Sequence, residues 1–322
     1  MTNSDNLNWM ASQIKQLADE LESVLFYLPE GYHFRELIRS YLDIESQFKH
    51  IINKNRKPWP LLPLVVCESI SGTYKRAVPV AAALYLFRTA AEIFDDIEDA
   101  DNESSLSSRL GPAISLNVGT TIIMLAERAV LRLSDIKGID QNIVVRVTDL
   151  VNASYIKACL GQHIEFSNYN GKIFSENKYI RSIINKSAGI QCACEVGAIL
   201  ADAGRQTIRS FIKFGESASI AAQLANDILG TIDGRDILGR KITLPVIYSI
   251  SVLDKERKHK LEEIYLHRNF AFDTETIKNI LIESGAVYYT AVKIELNTQH
   301  ARNILSHIRN IGISTDKMEL FL

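Results

Sequence analysis

Five carboxylates crowd into seven residues of this chain: Asp95, Asp96, Glu98, Asp99 and Asp101, with Glu92 one helical turn earlier. Ordinary folding physics disfavours such a cluster. Asp95 and Asp99 are four apart, a like-charge pair that costs a helix roughly 0.2–0.5 kcal/mol. They also fall toward a helix C-terminus, where the backbone dipole favours cations. Arg88 lies two turns before the cluster and Arg109 well after it, so no basic side chain of the same turn offsets the charge. Two readings are open: a solvated acidic helix end, or carboxylates neutralised by divalent cations. Hard oxygen ligands without His or Cys select Mg²⁺ or Mn²⁺ over zinc, and Mg²⁺ commonly bridges carboxylates to substrate phosphates.

Other reactive side chains offer less. Cys67, Cys159, Cys192 and Cys194 are too few for a disulfide framework in 322 residues, and the seven histidines are scattered. Cys192 and Cys194, two apart on a helix, point in different directions. A reducing, cytoplasmic setting is expected. Nothing forms a convincing Ser-His-Asp or Cys-His set.

The segments that must position the cluster read as helices. Proline occurs at 29, 58, 60, 63, 79, 112 and 245, so positions 113–244 contain none. With no run of alternating β-branched residues, the chain is expected to be all-α. Leu17, Leu21, Val24, Leu25 and Leu28 form one apolar stripe, and Val144, Val147, Leu150, Val151 and Ala158 another. The run Ala77–Phe87 that leads into the acidic cluster is apolar almost all round, as in a helix buried inside a bundle. Breaks are expected at 55–63, 101–108, 137–140, 168–175 and 230–239, the last a glycine-marked loop after a helix. About ten helices in one domain follow, 1–322, with residues 1–58 as N-terminal helices packing on the rest.

Composition narrows the function. Lys+Arg 36 against Asp+Glu 38 gives 36 − 38 = −2, with 47% hydrophobic and 23% charged residues. That balance excludes wholesale disorder and argues against a nucleic-acid partner. The stretch Met1–Trp9 lacks a signal-type apolar core, and Ala77–Phe87 is shorter than the roughly 18–20 residues of a bilayer span. A soluble protein with no integral membrane segment is expected.

Several segments, in order, resemble the trans-isoprenyl diphosphate synthase (polyprenyl synthetase) superfamily. DDIED, 95–99, resembles its first DDxxD motif. GQHIEF, 161–166, resembles its GQxxD segment, with Glu165 in the acidic place. NKSAGIQCACEVGAILA, 185–201, resembles its lysine-bearing helix, and QLANDILGTIDGRDILGRKITLPVIY, 223–248, its second acidic region with the following KxTLP stretch. The last helix, GAVYYTAVKIELNTQHARNIL, fits as well. The resemblance covers roughly residues 60–310. It implies an all-α isoprenoid-synthase bundle around a central cavity in which two acidic motifs face each other. Mg²⁺, or Mn²⁺, would be held by Asp95, Asp96 and Asp99 and by Asp227, Asn226 and Gln223. The resemblance further implies that Lys186, Lys241, Arg109 and Gln162 bind diphosphate, with Lys186 and Lys241 acting on the leaving group. Glu165 lines the cavity, and Ala90, Ala91 and Phe87 set its depth; methyl-sized residues at 90 and 91 favour chains of fifteen carbons or more. A homodimer is expected.

The departures bear on function. Where the family reads QxxDDxxD, this chain has Gln223, Asn226, Asp227 and then Gly230, with Asp233 and Asp236 following. The segment that holds isopentenyl diphosphate is not evident, and SGTYKRAVP, 71–79, is the nearest candidate. An allylic prenyl diphosphate is thus the expected substrate, and isopentenyl diphosphate, a peptide side chain or the substrate's own double bond the acceptor. Chain elongation leads; a synthase-like class I terpene cyclase and a peptide (tryptophan) prenyltransferase are alternatives. A non-catalytic subunit of a heteromeric synthase is the reading from a different class.

Overall fold

The computed structural model describes residues 3–31, 33–42, 46, 57–99, 105–167, 175–266 and 272–322. Every regular element among them is helical. In order these are α1 (Asn3–Leu25), α2 (Phe34–Tyr41), α3 (Leu62–Ser71), α4 (Val78–Asp99), α5 (Leu106–Leu110), α6 (Pro112–Leu131), α7 (Gln141–Ser167) and α8 (Glu176–Lys186). They continue as α9 (Ala188–Leu200), α10 (Arg205–Ile232), α11 (Arg235–Leu238), α12 (Leu244–Val252), α13 (Lys255–Leu266), α14 (Thr274–Glu283) and α15 (Ala286–Asn310), before a 3₁₀ segment, Asp316–Phe321.

The prolines explain the starts. Pro63, Pro79, Pro112 and Pro245 each stand in the first turn of a helix, where the missing N–H leaves no bond unmade. Between 113 and 244 the helices are broken by other means. Gly138 and Gly234 adopt positive φ, and Asp202 takes the left-handed conformation at φ 57°. Ser105 caps α5 by accepting the Ser108 N–H at 3.0 Å, and Asp273 caps α14 by accepting the Thr276 N–H at 2.9 Å. Fifteen α-helices among the described residues exceed the ten expected, because one-turn pieces such as α5 and α11 carry no periodic signal. The expected loop at 230–239 is corrected as well: Gly230 lies inside α10, and 235–238 form a helical turn.

The chain divides into two compact units, one of Met1–Tyr155, Gly189–Ile212 and Leu305–Phe321, the other of Ile156–Ala188, Lys213–Ile304 and Leu322. In the first, α4 is the core helix. Val80, Ala81, Ala82, Ala83 and Leu86 are wholly buried, and α6 runs against α4 along much of its length. The approach is close because Gly119 of α6 lies on the Phe94 ring, which a Cβ would meet at 2.7 Å. α1 packs on both helices. Glu68 of α3 ties in both ends of the chain: it accepts from the Trp9 indole N–H at 2.8 Å, the Gln13 amide at 3.1 Å and Lys317 at 2.8 Å.

In the second unit, Ile183 of α8, Ile220 and Leu224 of α10 and Leu244 of α12 form one apolar cluster. Ile237, Val246, Ile250, Leu261, Ile264, Tyr265, Ile277 and Leu281 form another around α11 to α14.

By length and composition, segments 75–98 and 112–135 could cross a membrane, although the 11-residue run alone could not. Of the 18-residue apolar window in the first, 72% is buried inside the protein, as in a core helix; of that in the second, 44% is buried.

Candidate active site

In the first unit, α4 delivers Asp95 and Asp96 to its C-terminal turns, both half-buried. Asp99 closes the helix, but its side chain lies outside the described residues, as does Asp101. Glu92, a turn earlier, is already paired with Arg88 at 2.6 Å. Tyr41, at the end of α2, lies close enough to feel this cluster. Its hydroxyl is pushed up to about 12, first by burial and then by the charges of Asp96 and Glu92, with Arg109 opposing. Arg109 therefore shares the neighbourhood of the acidic helix end, exposed on the last turn of α5 before Gly111 turns the chain at φ +85°.

Deeper along α4, Ala90 is buried while Ala91 is exposed. Phe87 stacks on Tyr155 of α7, ring centroids 3.6 Å apart. In the segment offered for isopentenyl diphosphate, Lys75 is exposed, but the Arg76 guanidinium is taken by Asp202 at 2.6 Å.

The second unit brings together the later motifs. Glu165 on α7 pairs with Lys186 on the last turn of α8 at 2.9 Å. The two helices can approach there because of Gly161, whose Cβ would sit 2.5 Å from the Lys186 backbone nitrogen. Gln162 follows, half-buried. Asp227, only 1% exposed on α10, accepts from the Gln223 amide at 3.1 Å on one oxygen and from the Tyr179 hydroxyl at 2.6 Å on the other. Burial pushes its carboxyl up to about 7; the bonds from Tyr179 and Gln223 pull it down, and the charge of Asp236 pushes it up again. Asn226, its neighbour, is exposed. Lys241 is half-buried after α11, and its charge opposes the burial that raises Asp236.

On sequence alone Tyr179 has no place in the site, and Asp236 has only that of an acid following the second motif. Tyr179 had a signal, since it precedes Lys186 by seven residues and so shares its face of α8. The seating of Asp236 against α10 had none.

These are oxygen donors with lysines nearby, the chemistry that suits Mg²⁺ or Mn²⁺ with a diphosphate. The Asp227 carboxylate also accepts from the Leu244 backbone N–H, so three donors share its two oxygens. Among the described residues no three His, Cys, Asp or Glu side chains converge on one point.

The polyprenyl synthetase family model matches residues 43–282. A short chain isoprenyl diphosphate synthase of Methanothermobacter thermautotrophicus is 26% identical over 231 residues, 67% of this chain and 70% of that protein. A geranylgeranyl diphosphate synthase of Saccharolobus solfataricus is 28% identical over 310 residues, 90% of each chain. Among solved structures, the geranylgeranyl pyrophosphate synthetase of Pyrococcus horikoshii Ot3 superposes with a TM-score of 0.82 over 100% of this chain and 97% of its own, at 20% identity. That likeness speaks for the fold.

Proposed function

The chain belongs to the polyprenyl synthetase family, and from that membership we propose that it elongates an allylic prenyl diphosphate with isopentenyl diphosphate in a Mg²⁺-dependent reaction. It is a prenyltransferase with the all-α fold of that family. The named relatives are diphosphate synthases, which favours elongation over cyclisation or peptide prenylation. The observation that carries the reading within the structure is the gathering of Glu165, Lys186, Asp227 and Lys241 in one compact unit.

In the reaction the allylic C–O bond breaks and its electron pair leaves with the diphosphate. The double bond of isopentenyl diphosphate then attacks the allylic cation, and a proton is lost. A bound divalent cation neutralises the diphosphate and makes it a better leaving group. Lys186 and Lys241 bind its oxygens and stabilise charge as it develops, with Gln162 of the same unit assisting. Arg109, in the first unit, is a further basic residue proposed for diphosphate binding. Glu165 orients the Lys186 ammonium. In the first unit Asp95, Asp96 and Asp99, and in the second Asp227 with Asn226 and Gln223, are the residues that would hold divalent cations. Tyr179 fixes the Asp227 carboxylate. Ala90, Ala91 and Phe87 set the depth available to the prenyl tail.

The chain acts as one catalytic domain, residues 1–322, with α1 and α2 as its N-terminal helices; the rest of the expected N-terminal helical region, 43–45 and 47–56, lies outside the described residues. It works in the cytoplasm as a homodimer. On α6, Leu116, Met124 and Leu131 expose 49%, 55% and 47% of their surfaces in one stripe, which a second copy would cover.

The test is to incubate the purified chain and Mg²⁺ with geranyl, farnesyl or geranylgeranyl diphosphate, with and without isopentenyl diphosphate, and weigh the products. Elongated diphosphates that require isopentenyl diphosphate are expected. Cyclised hydrocarbon from the allylic substrate alone, or no turnover without a second subunit, overturns elongation by this chain.

A further inference from the structure

A side chain at position 230 would stand one turn beyond Asp227, on nearly the same face of α10. Gly230 supplies none, yet the space is filled. A Cβ on Gly230 would lie 2.6 Å from one carboxylate oxygen of Asp236 and closer still to its other two carboxyl atoms. The chain reaches this point by a short detour. It turns at Gly234, φ +81°, makes the single turn α11, and closes with the Lys241 N–H donating to the Asp236 carbonyl at 2.8 Å.

The carboxylate so delivered is half-buried and makes no side-chain hydrogen bond or ion pair among the described residues. Its surroundings are mixed. The charges of Lys241 and Arg235 favour it, those of Asp233 and Glu165 oppose it, and its own charge bears on Asp227. The Tyr265 hydroxyl, on a side chain only 3% exposed and with no hydrogen-bond partner among the described residues, also lies within reach of that charge. Buried charges are normally paired or bound to a metal, and this carboxylate is partly withdrawn from solvent. The donor chemistry is again oxygen alone, as a hard divalent cation requires.

We propose that Asp236, seated in the niche left by Gly230, supplies the acid that position 230 lacks, so that Asp227 and Asp236 together present this unit's carboxylates to a divalent cation carrying a diphosphate. The acidic segment is thereby rebuilt from two pieces of chain. Gly230 serves as the seat for a carboxylate and is no simple loss. The inference rests on the prenyl-transfer reading and adds to it a residue.

The experiment measures Mn²⁺ affinity by electron paramagnetic resonance, together with the thermal shift, on the whole chain with Mn²⁺ and inorganic pyrophosphate. The unaltered chain must bind and be stabilised; if it does not, the metal-dependent reading itself fails. Given that binding, Asp236→Asn keeps the shape and removes the charge, and should weaken Mn²⁺ by about tenfold or more. The exchange Gly230→Asp with Asp236→Gly returns the carboxylate to the same space from α10 and should recover most of the affinity. Unchanged affinity in Asp236→Asn overturns the proposal. So does a folded exchange variant that recovers nothing. Should the exchange variant fail to fold by circular dichroism, Asp236→Glu replaces it: tighter Mn²⁺ binding than in Asp236→Asn supports the proposal, and equal binding refutes it.

Discussion

At the scale of single residues, Lys186 and Asp227 separate function from stability in opposite ways. Lys186 and Glu165 are each about a third exposed, so their ion pair contributes at most about 1 kcal/mol to folding. Lys186→Ala should leave circular dichroism and the unfolding midpoint nearly unchanged while turnover falls about tenfold or more, as when a preorganised charge is removed from a developing anion. Normal turnover in the folded variant removes Lys186 from the diphosphate site. Asp227 is linked to folding through pH. Its native carboxyl is raised to about 7, above its value in the unfolded chain, so the native state binds the proton more tightly. The stability this contributes is complete below the ordinary carboxylate range and is lost as pH climbs toward 7. Urea unfolding followed from pH 4 to 8 should show that decline in the unaltered chain and a flatter profile in Asp227→Asn. Parallel profiles would show that Asp227 titrates as an ordinary surface acid.

At the scale of elements, helix crossings decide where these side chains stand. Gly161→Ala forces a methyl group onto the backbone at Lys186, and should cost about 1–3 kcal/mol in chemical denaturation. No loss would mean that α8 shifts freely, and that Glu165 and Lys186 are not held by the crossing. On α4, the Phe87–Tyr155 stack lies about two turns before Asp95, below the level of Ala90 and Ala91. If it floors the tail pocket, Phe87→Ala lengthens the products and Ala91→Phe shortens them, as read by mass spectrometry; unchanged product lengths in both variants place the floor elsewhere. Much of this scale was legible beforehand. The buried α4, the acidic end at 95–99 and the placing of Glu165 beside the lysines follow from pattern and resemblance; that Glu165 pairs with Lys186 does not. What escaped depends on close contact between segments remote in sequence or in register. Nothing in the string of residues announces that Asp236 packs on Gly230, that Tyr179 reaches Asp227 across two helices, or that Arg76 is spent on Asp202.

At the scale of the whole molecule, the exposed stripe on α6 bears on assembly. Met124→Glu places a charge in its middle and should convert a dimer to a monomer in light scattering after gel filtration, with far-ultraviolet circular dichroism unchanged. A dimer that survives the substitution is built on another face. The C-terminal 3₁₀ segment also has a global role, because Phe321 is fully buried and Lys317 reaches Glu68. The chain has two tryptophans, and both stand beside that segment: Lys317 lies 4.4 Å above the Trp9 ring, and Phe321 lies 5.5 Å from Trp59. Intrinsic fluorescence excited at the red edge of tyrosine absorption is therefore a local gauge of the docked C-terminus in one compact unit. The unit that holds Glu165, Lys186 and Asp227 contributes no indole emission, so ligand binding there passes silently through an ordinary fluorescence titration unless a tryptophan is introduced.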